Sequence, residues 1–515
     1  MSRRRTARTL AALVLGSLVA GPALAEFVTL RTRDGSVAIT GQLAGFADGT
    51  YTLSTNIGMV NLPAEMVECL GEACPEVPGS RGFRMSGSRA LADRVAPSLL
   101  AAFAAGRGGG ASRRMETGAM AFALGEEEAG EAVIAPHAGT AGGIADLLSG
   151  KADLAMAARP VTSGEAAAFE AAGWGALREI GFEHAVGTDG LVLAVHPGNP
   201  VESMSLADAT RVLSGEVTDW SALGGPPGPV TLYVREPGAG PREMMTDLLL
   251  SPRGLSLSAK ATALDDAEAL AAAIEGDPGG LAVSGYARHG GKALAVGGAC
   301  GIRVPPTPFA IASGEYPLAR PLLLYRSRGN TSDAAGAFLA FVASAEGQAI
   351  VAASGIVPLA VAPRPVHGDG LRLAAALQEA QAPADLILVR EMAMQLIGAE
   401  RLAVTFRFEP GTARLTARSQ ADLFRLAAYL EEAGRGREAI FAGFAARSGK
   451  AAADRRLSRE RAERVRRAVL AAWPGPAAEP ASRAAGFGHV SPLTCPGDQD
   501  RGIEDRVEVW LRGAK

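Results

Sequence analysis

The sequence predicts a multidomain protein: a small antiparallel β barrel or meander in front, a two-lobed α/β unit in the middle, and a compact α+β unit behind. Three observations predict it. At 515 residues the chain exceeds what one hydrophobic core serves. Short runs alternating apolar and polar residues end near residue 77, and from 78 to about 364 strands alternate with helices. A stretch rich in Ala, Pro and Gly from 365 to 400 then gives way to a strand, helix, strand, helix, strand order over 401–515, a unit expected to be independent of what precedes it.

The chain opens "MSRRRTARTLAALVLGSLVAGPALAEF", with a basic start, an apolar run from Leu10 to Ala20 and a small-x-small site at Ala23-Leu24-Ala25. That pattern is a secretory signal over 1–25, cut before Glu26, and it sends the mature chain to the periplasm. The apolar run is too short to span a bilayer, and no later stretch is long and apolar enough, so no transmembrane segment is expected in the mature chain. Residues 26–77 then alternate apolar with polar, with turns at Asp34-Gly35, Asp48-Gly49 and Asn56-Ile57-Gly58. So short a β domain buries little core and calls for a staple.

Four cysteines in an oxidising compartment favour disulfides over metal ligation. Cys69 and Cys74, in "CLGEAC", are spaced to close a tight loop. Cys300 and Cys495 are then left either to each other, tying two distant regions together, or as buried thiols.

Within 78–364, "SGSRALADRVAPSLLAAFAAG" begins with hydroxyl residues able to cap a helix and stops at a glycine. "SLADATRVLSGEV" places Ser205 and Asp208 as a capping box and Gly215 as its stop. Repeated units of this kind imply a parallel-rich sheet with helices on both faces, and the length suits two lobes. Residues 365–400 read as a linker with one helix. The last segment carries "RLAVTFRF", "ARSQADLFRLAAYLEEAG", "REAIFAGFA", an arginine-rich helix and "DRVEVWL".

The arginines of that helix are not equivalent. On a wheel at about 100° per residue, Leu457, Ala462, Val465, Ala468, Val469 and Ala472 form one apolar arc, and Arg461 falls inside it. Arg459, Arg464, Arg466 and Arg467 lie outside it or at its edge, where long side chains stay hydrated. A guanidinium facing the core needs a partner, because leaving it unsatisfied costs several kcal/mol.

The net charge of -3 argues against a nucleic-acid partner. The histidines, His137, His184, His196 and His289 among them, stand in turns or at strand ends, with no nucleophile elbow and no metal-ligand spacing nearby. Enzyme chemistry, a metal and a cofactor are therefore not expected.

The last segment resembles the OmpA-like peptidoglycan-binding domains. The resemblance rests on "LSRERAERV", Leu457 to Val465, preceded by Gly443 and Gly449 and followed by "DRVEVWL". It implies that Arg461 and an aspartate in the preceding loop hold the diaminopimelate of a cell-wall peptide. That aspartate is absent: Ala446 stands in its place, and Asp454 stands where the family has an asparagine. Arg461 then either keeps half of a peptidoglycan site, with Asp454 beside it, or pairs internally with an acid such as Asp454 or Glu508.

The central segment resembles the phosphate-type periplasmic substrate-binding proteins of ABC transporters. The resemblance runs through "SGS", "SGKADLAMAARPV", "DGLVLAVHPGNPVESMSLADATRVLSGEVTDW", "REPGAGPREMM", "YPLARPLLLY" and "FLAFVASAEGQAIVAASGIVPL", in that order. It implies a periplasmic-binding-protein clamshell, with crossing strands near Asp189 and Cys300 and a small anion held on helix N-termini, a setting suited to an oxyanion. It places Ser86, Ser88, Thr140, Arg235, Gly240 and Arg242 along the cleft. The glycine loop departs from the family pattern at Ala239-Gly240-Pro241, as does Ala158, and both departures remove polar groups. The ligand is expected to be phosphate or a related oxyanion, with another small anionic metabolite or no tight ligand as alternatives. Ser86 and Ser88 double as helix caps, and Arg235 and Arg242 as interlobe salt-bridge partners. The implied partners are a membrane permease and peptidoglycan. The competing role is an envelope scaffold with a degenerate cleft.

Overall fold

The computed structural model describes residues 27–32, 38–47, 50–55, 58–63, 67–71, 74, 82–110, 112–125, 130–136, 138–298, 300–328, 332–365, 370–380, 382–473, 480–495 and 501–513. The signal segment, the turns at Asp34-Gly35 and Asp48-Gly49, residues Asn56 and Ile57, and His137 lie outside them. The chain divides into two compact units, Met1–Pro78 and Gly79–Lys515.

In the first unit five antiparallel strands form a sheet in the order Gly58–Pro63, Thr50–Thr55, Ala38–Ala47, Phe27–Thr32, Val67–Leu70. This is the meander form, with its fifth strand returning beside the first. The alternation that predicts it puts Val28, Leu30, Tyr51, Leu53 and Val67 on the buried face. Cys69 and Cys74 form a disulfide at its end.

The second unit is built on one sheet that runs through both lobes. Its order is Thr262–Leu264, Thr231–Arg235, Gly280–Gly285, Glu183–Val195, Ala319–Arg326, Leu154–Ala157, Phe83–Gly87, Glu131–Ile134, Met120–Ala123, Ser112–Arg114. Leu154–Ala157, Phe83–Gly87 and Glu131–Ile134 pair in parallel in the first lobe, as do Thr262–Leu264, Thr231–Arg235 and Gly280–Gly285 in the second; Met120–Ala123 and Ser112–Arg114 at the first lobe's edge, and every pair made by Glu183–Val195 or Ala319–Arg326 in this order, are antiparallel. Those two strands are the crossing strands. The first half of Glu183–Val195 pairs with Ala319–Arg326, and its second half with Gly280–Gly285, so it belongs to both lobes.

Both sheet faces are covered. In the first lobe Leu154 and Met156 pack with residues of helices Arg89–Ala92, Ala96–Ala105 and Asp333–Ala343, while Ala155 and Ala157 pack with Gly139–Leu148 and Ser163–Ala171. In the second lobe Leu191, Leu193 and Val195 face one core and Val192 and Ala194 another. The caps read from sequence are present: Ser205 Oγ accepts the Asp208 N–H at 2.9 Å, and Gly215 ends the helix Leu206–Ser214 at φ +82°.

Three expectations need correction. Asp189 does lie on a crossing strand, but Cys300 lies in the second lobe between the short strands Ala295–Gly297 and Arg303–Val304. The second crossing strand is Ala319–Arg326.

The stretch 365–400 is not a linker. It carries helices Gly370–Gln378 and Pro383–Leu396, which pack Ala376, Leu388, Val389, Met392 and Leu396 against Ile440, Phe444 and Trp510. The strand Arg437–Phe444 explains why. Ala439 and Phe441 face the helices Ala417–Ala433 and Ala451–Ala471, so Ile440, Ala442 and Phe444 need cover on the other side. The C-terminal sheet runs Pro363–Pro365, Ala399–Arg407, Arg506–Gly513, Arg437–Phe444, Ala481–Gly486, and its last strand has no apolar alternation to announce it.

Nor is the C-terminal unit independent of what precedes it. Cys300 and Cys495 form a disulfide between the second lobe and the C-terminal segment. Beside it lies a buried ion network. Glu315 of the second lobe pairs with Arg401 and, at 3.5 Å, with Arg372; Glu508 takes Arg372 at 2.5 Å, Arg506 at 2.7 Å and Arg401 at 3.2 Å. Burial pushes both carboxyls up, but the surrounding guanidiniums, Arg401 and Arg372 for Glu315 and Arg372, Arg401 and Arg506 for Glu508, outweigh it and hold both below the usual carboxylate range.

Candidate functional site

Of the six residues that the resemblance places along the cleft, Ser86 and Arg235 stand at the ends of the strands Phe83–Gly87 and Thr231–Arg235, Ser88 and Thr140 at the starts of the helices Arg89–Ala92 and Gly139–Leu148, and Gly240 and Arg242 in the helix Gly240–Met245. Most of their polar atoms already hold partners. Ser86, buried at the end of Phe83–Gly87, donates its hydroxyl to Asp146 Oδ2 at 2.5 Å. Ser88 caps the helix Arg89–Ala92, its Oγ accepting the Ala90 N–H at 3.3 Å. Thr140 Oγ1 accepts the Ala158 N–H at 3.1 Å.

Arg235 and Arg242 do not bridge the lobes. Arg235 donates through Nε and Nη2 to the carbonyls of Leu264 and Asp265, at 3.3 and 2.5 Å, across its own lobe. Arg242 donates through Nη1 to the Arg235 carbonyl at 3.3 Å. Neither guanidinium has a carboxylate partner among the described residues. Gly240 opens the helix Gly240–Met245, and its carbonyl accepts Arg320 Nη2 at 3.3 Å.

The interlobe contact is made by residues that sequence reasoning missed. Arg94, between the first two helices of the first lobe, donates Nη1 to Asp189 Oδ1 at 3.0 Å and reaches the carbonyls of Ser354 and Gly355 at 3.5 and 3.4 Å. Arg320, on the second crossing strand, meets Asp189 Oδ2 at 3.4 Å. Asp189 is buried and also accepts the Gly190 N–H at 3.1 Å. A Cβ added at Gly240 would lie 3.9 Å from both Arg320 Nη2 and Arg94 Cδ, and one at Gly238 would lie 2.7 Å from Arg89 Nη1. Three guanidiniums, from the first lobe and the crossing strand, thus border the glycine loop of the second lobe. Burial pushes the nearby Glu243 carboxyl up, against the pull of Arg89 and Arg320.

A second candidate site lies in the C-terminal unit. Glycine lets the helix Ala451–Ala471 lie close on the sheet, since a Cβ at Gly443 would come within 1.9 Å of the Ser458 carbonyl oxygen. Arg461 is buried on that helix, as the wheel requires, and its guanidinium lies over the Phe408 ring at 4.9 Å. Leu457 is exposed; the buried stripe runs Asp454, Ser458, Arg461, Ala462, Val465, Val469, rotated from the sequence-derived arc.

The acid facing Arg461 is neither Asp454 nor Glu508. Arg461 Nη1 lies 2.7 Å from Asp505 Oδ1, and the same oxygen accepts the Ala446 N–H at 3.0 Å. Nε and Nη1 of Arg461 make no hydrogen bond among the described residues. Asp454 is committed elsewhere. It accepts from the Ser448 hydroxyl and from the Ser448 N–H at 3.2 Å, and meets His489 Nδ1 at 2.9 Å. His489 Nε2 in turn meets Asp385 Oδ1 at 3.0 Å, which ties the helix Pro383–Leu396 to this site.

Comparison with known proteins accounts for both regions. Residues 114–346 match the PBP superfamily domain, and residues 407–494 match the OmpA family. The chain joins a PBP-like domain to a C-terminal OmpA domain. A curated relative, Protein SphX of Synechococcus elongatus, is 30% identical over 201 residues, covering 37% of this chain. The chain spans 58% of that relative's length. Among solved structures, an ABC-type phosphate transport receptor from Vibrio cholerae is 20% identical, with a TM-score of 0.41 over 53% of this chain and 98% of the receptor. A possible phosphate binding protein from Planctomyces limnophilus is 24% identical, with a TM-score of 0.45 over 55% and 94% of the two chains. The periplasmic domain of Helicobacter pylori MotB is 17% identical, with a TM-score of 0.20 over 24% of this chain and 78% of that one. Thr140, Asp189, Arg235, Gly240, Arg242 and Arg320 fall within the PBP match while Ser86, Ser88 and Arg94 precede it; Arg461 falls within the OmpA match and Asp505 follows it.

Proposed function

We propose that this protein is a periplasmic solute-binding protein that captures phosphate or a related small oxyanion between its two lobes, and that its OmpA domain attaches it to peptidoglycan. The observation that carries the reading is the convergence of Arg94 and Arg320 on Gly240, one from the first lobe and one from the crossing strand. Guanidiniums offer planar donor forks suited to a tetrahedral oxyanion. Closure over an anion needs contacts available only when both lobes meet. Arg94 and Arg320 span that junction, with Asp189 as the carboxylate an anion would compete against. Delivery to an ABC permease follows from the same reading.

Wall attachment rests on Arg461 and Asp505. A zwitterionic amino-acid end sets its carboxylate against the unspent guanidinium N–H groups and its ammonium against Asp505. Asp505 thereby supplies from the last strand's approach the carboxylate that Ala446 lacks.

A scaffold role with a degenerate cleft is favoured by one observation: Ser86 donates its hydroxyl to Asp146, and the hydroxyl oxygens of Ser88 and Thr140 take backbone N–H groups, all inside the first lobe. Thermal denaturation with phosphate, against sulfate and chloride at equal ionic strength, separates the two. Phosphate at a hundred times its dissociation constant adds about 2.7 kcal/mol. A melting temperature indifferent to all three anions leaves the scaffold.

A further inference from the structure

A cavity of about 520 Å³ lies where both lobes, the crossing strands and the C-terminal unit meet. Sites for small molecules range over roughly 300–1,000 Å³, with apolar walls and a few convergent polar groups. The walls here include Val161, Ile311, Pro321, Leu323 and Val404. Of the side chains described at the anion cleft, Arg320 alone also lines this cavity, so the two sites are separate but adjacent.

The charges around it are unequal. Arg178, Arg320, Arg407 and Arg418 line it against Glu183, Glu409 and Asp422. Glu183 is shut in, taking the Tyr325 hydroxyl at 2.5 Å, and burial pushes its carboxyl up against the pull of that hydrogen bond. Arg418 is tied to Thr188 Oγ1 at 3.2 Å and to Asp422 at 3.6 Å.

Some donors are left over. Among the described residues Arg178 commits Nη2 alone, to the Val161 carbonyl and Ser163 Oγ. Arg320 Nε and Thr405 Oγ1 are buried without a hydrogen-bond partner among the described residues. Buried polar groups left unpaired cost about 1–3 kcal/mol each.

We propose that this cavity is a second binding site, for a small molecule with an apolar body and one anionic group. The apolar walls take the body, and the excess of guanidinium takes the charge at the Arg178 side. A ligand there would press on the strand that carries Arg320, whose Nη2 also holds Asp189 and the Gly240 carbonyl.

The probe is 8-anilinonaphthalene-1-sulfonate, titrated by fluorescence into the full oxidised chain. Thr405→Phe fills the cavity and Arg178→Gln removes a charge from its wall. Ile397→Glu alters an exposed apolar position elsewhere on the C-terminal unit. Saturable binding of one probe per chain is expected, lost in Thr405→Phe, weakened about tenfold in Arg178→Gln and unchanged in Ile397→Glu. Undiminished binding in a folded Thr405→Phe protein, or loss only in Ile397→Glu, overturns the proposal. If Thr405→Phe does not fold, unchanged affinity in Arg178→Gln overturns it instead.

Discussion

Arg461 and Asp505, 44 residues apart in sequence by their numbers, place a buried guanidinium 2.7 Å from a carboxylate that also takes the Ala446 N–H. Removing either changes more than a salt bridge. Arg461→Ala is expected to lower retention on purified sacculi by about tenfold to a hundredfold, the worth of one charge-assisted hydrogen bond or two. Asp505→Asn, which keeps the shape, is expected to lose a similar factor. Stronger retention by Asp505→Asn would instead mark Asp505 as a plug on Arg461.

This pair also shows what sequence reveals. Arg461 is legible because helical spacing puts it on an apolar stripe. Its partner is not, because Asp505 reaches the site only once the closing strand has folded against Ala446. The same holds in the cleft: Arg94 and Arg320 find Asp189 across 95 and 131 residues. Local signals such as the Ser205 cap and the Gly215 stop survive intact, since their physics is complete within a few residues. The helices over 370–396 are not legible in their own weakly periodic segment; they cover the second apolar face of "AIFAGF", a need that arises only once that strand is placed in its sheet.

The Cys300–Cys495 bridge closes a separation of 195 residues between two bodies that already share a buried interface. Replacing both cysteines by serine is expected to cost about 2–4 kcal/mol, seen as a lower melting temperature in calorimetry. An unchanged melting temperature would show that the ion network alone holds the interface.

Acid should test that network with a definite sign. A carboxylate whose pKa is depressed on folding adds stability that is complete above its unfolded value, about 4.3, and is lost as pH falls through the folded value. Glu315 and Glu508 are both depressed, so their contribution should stay constant from pH 7 to about 5 and decline only below about 4. Glu315→Gln removes one of the two carboxylates paired with buried Arg401, leaving Glu508, and should cost up to about 3–5 kcal/mol at pH 7, with a shallower acid limb in urea denaturation.

Gly443→Ala is expected to destabilise the C-terminal unit, because its Cβ would come within 1.9 Å of the Ser458 carbonyl oxygen and backbone cannot yield cheaply. A loss of about 1–3 kcal/mol, typical of overpacking, should appear in the urea midpoint. A neutral substitution would mean that the helix Ala451–Ala471 rides higher on the sheet than described.

Isothermal titration of the oxidised protein with inorganic phosphate, repeated on Arg94→Ala, bears most directly on anion capture between the lobes. One phosphate per chain is expected, with affinity falling about tenfold to a hundredfold when Arg94 is removed. Phosphate that binds both proteins equally, or neither, contradicts it.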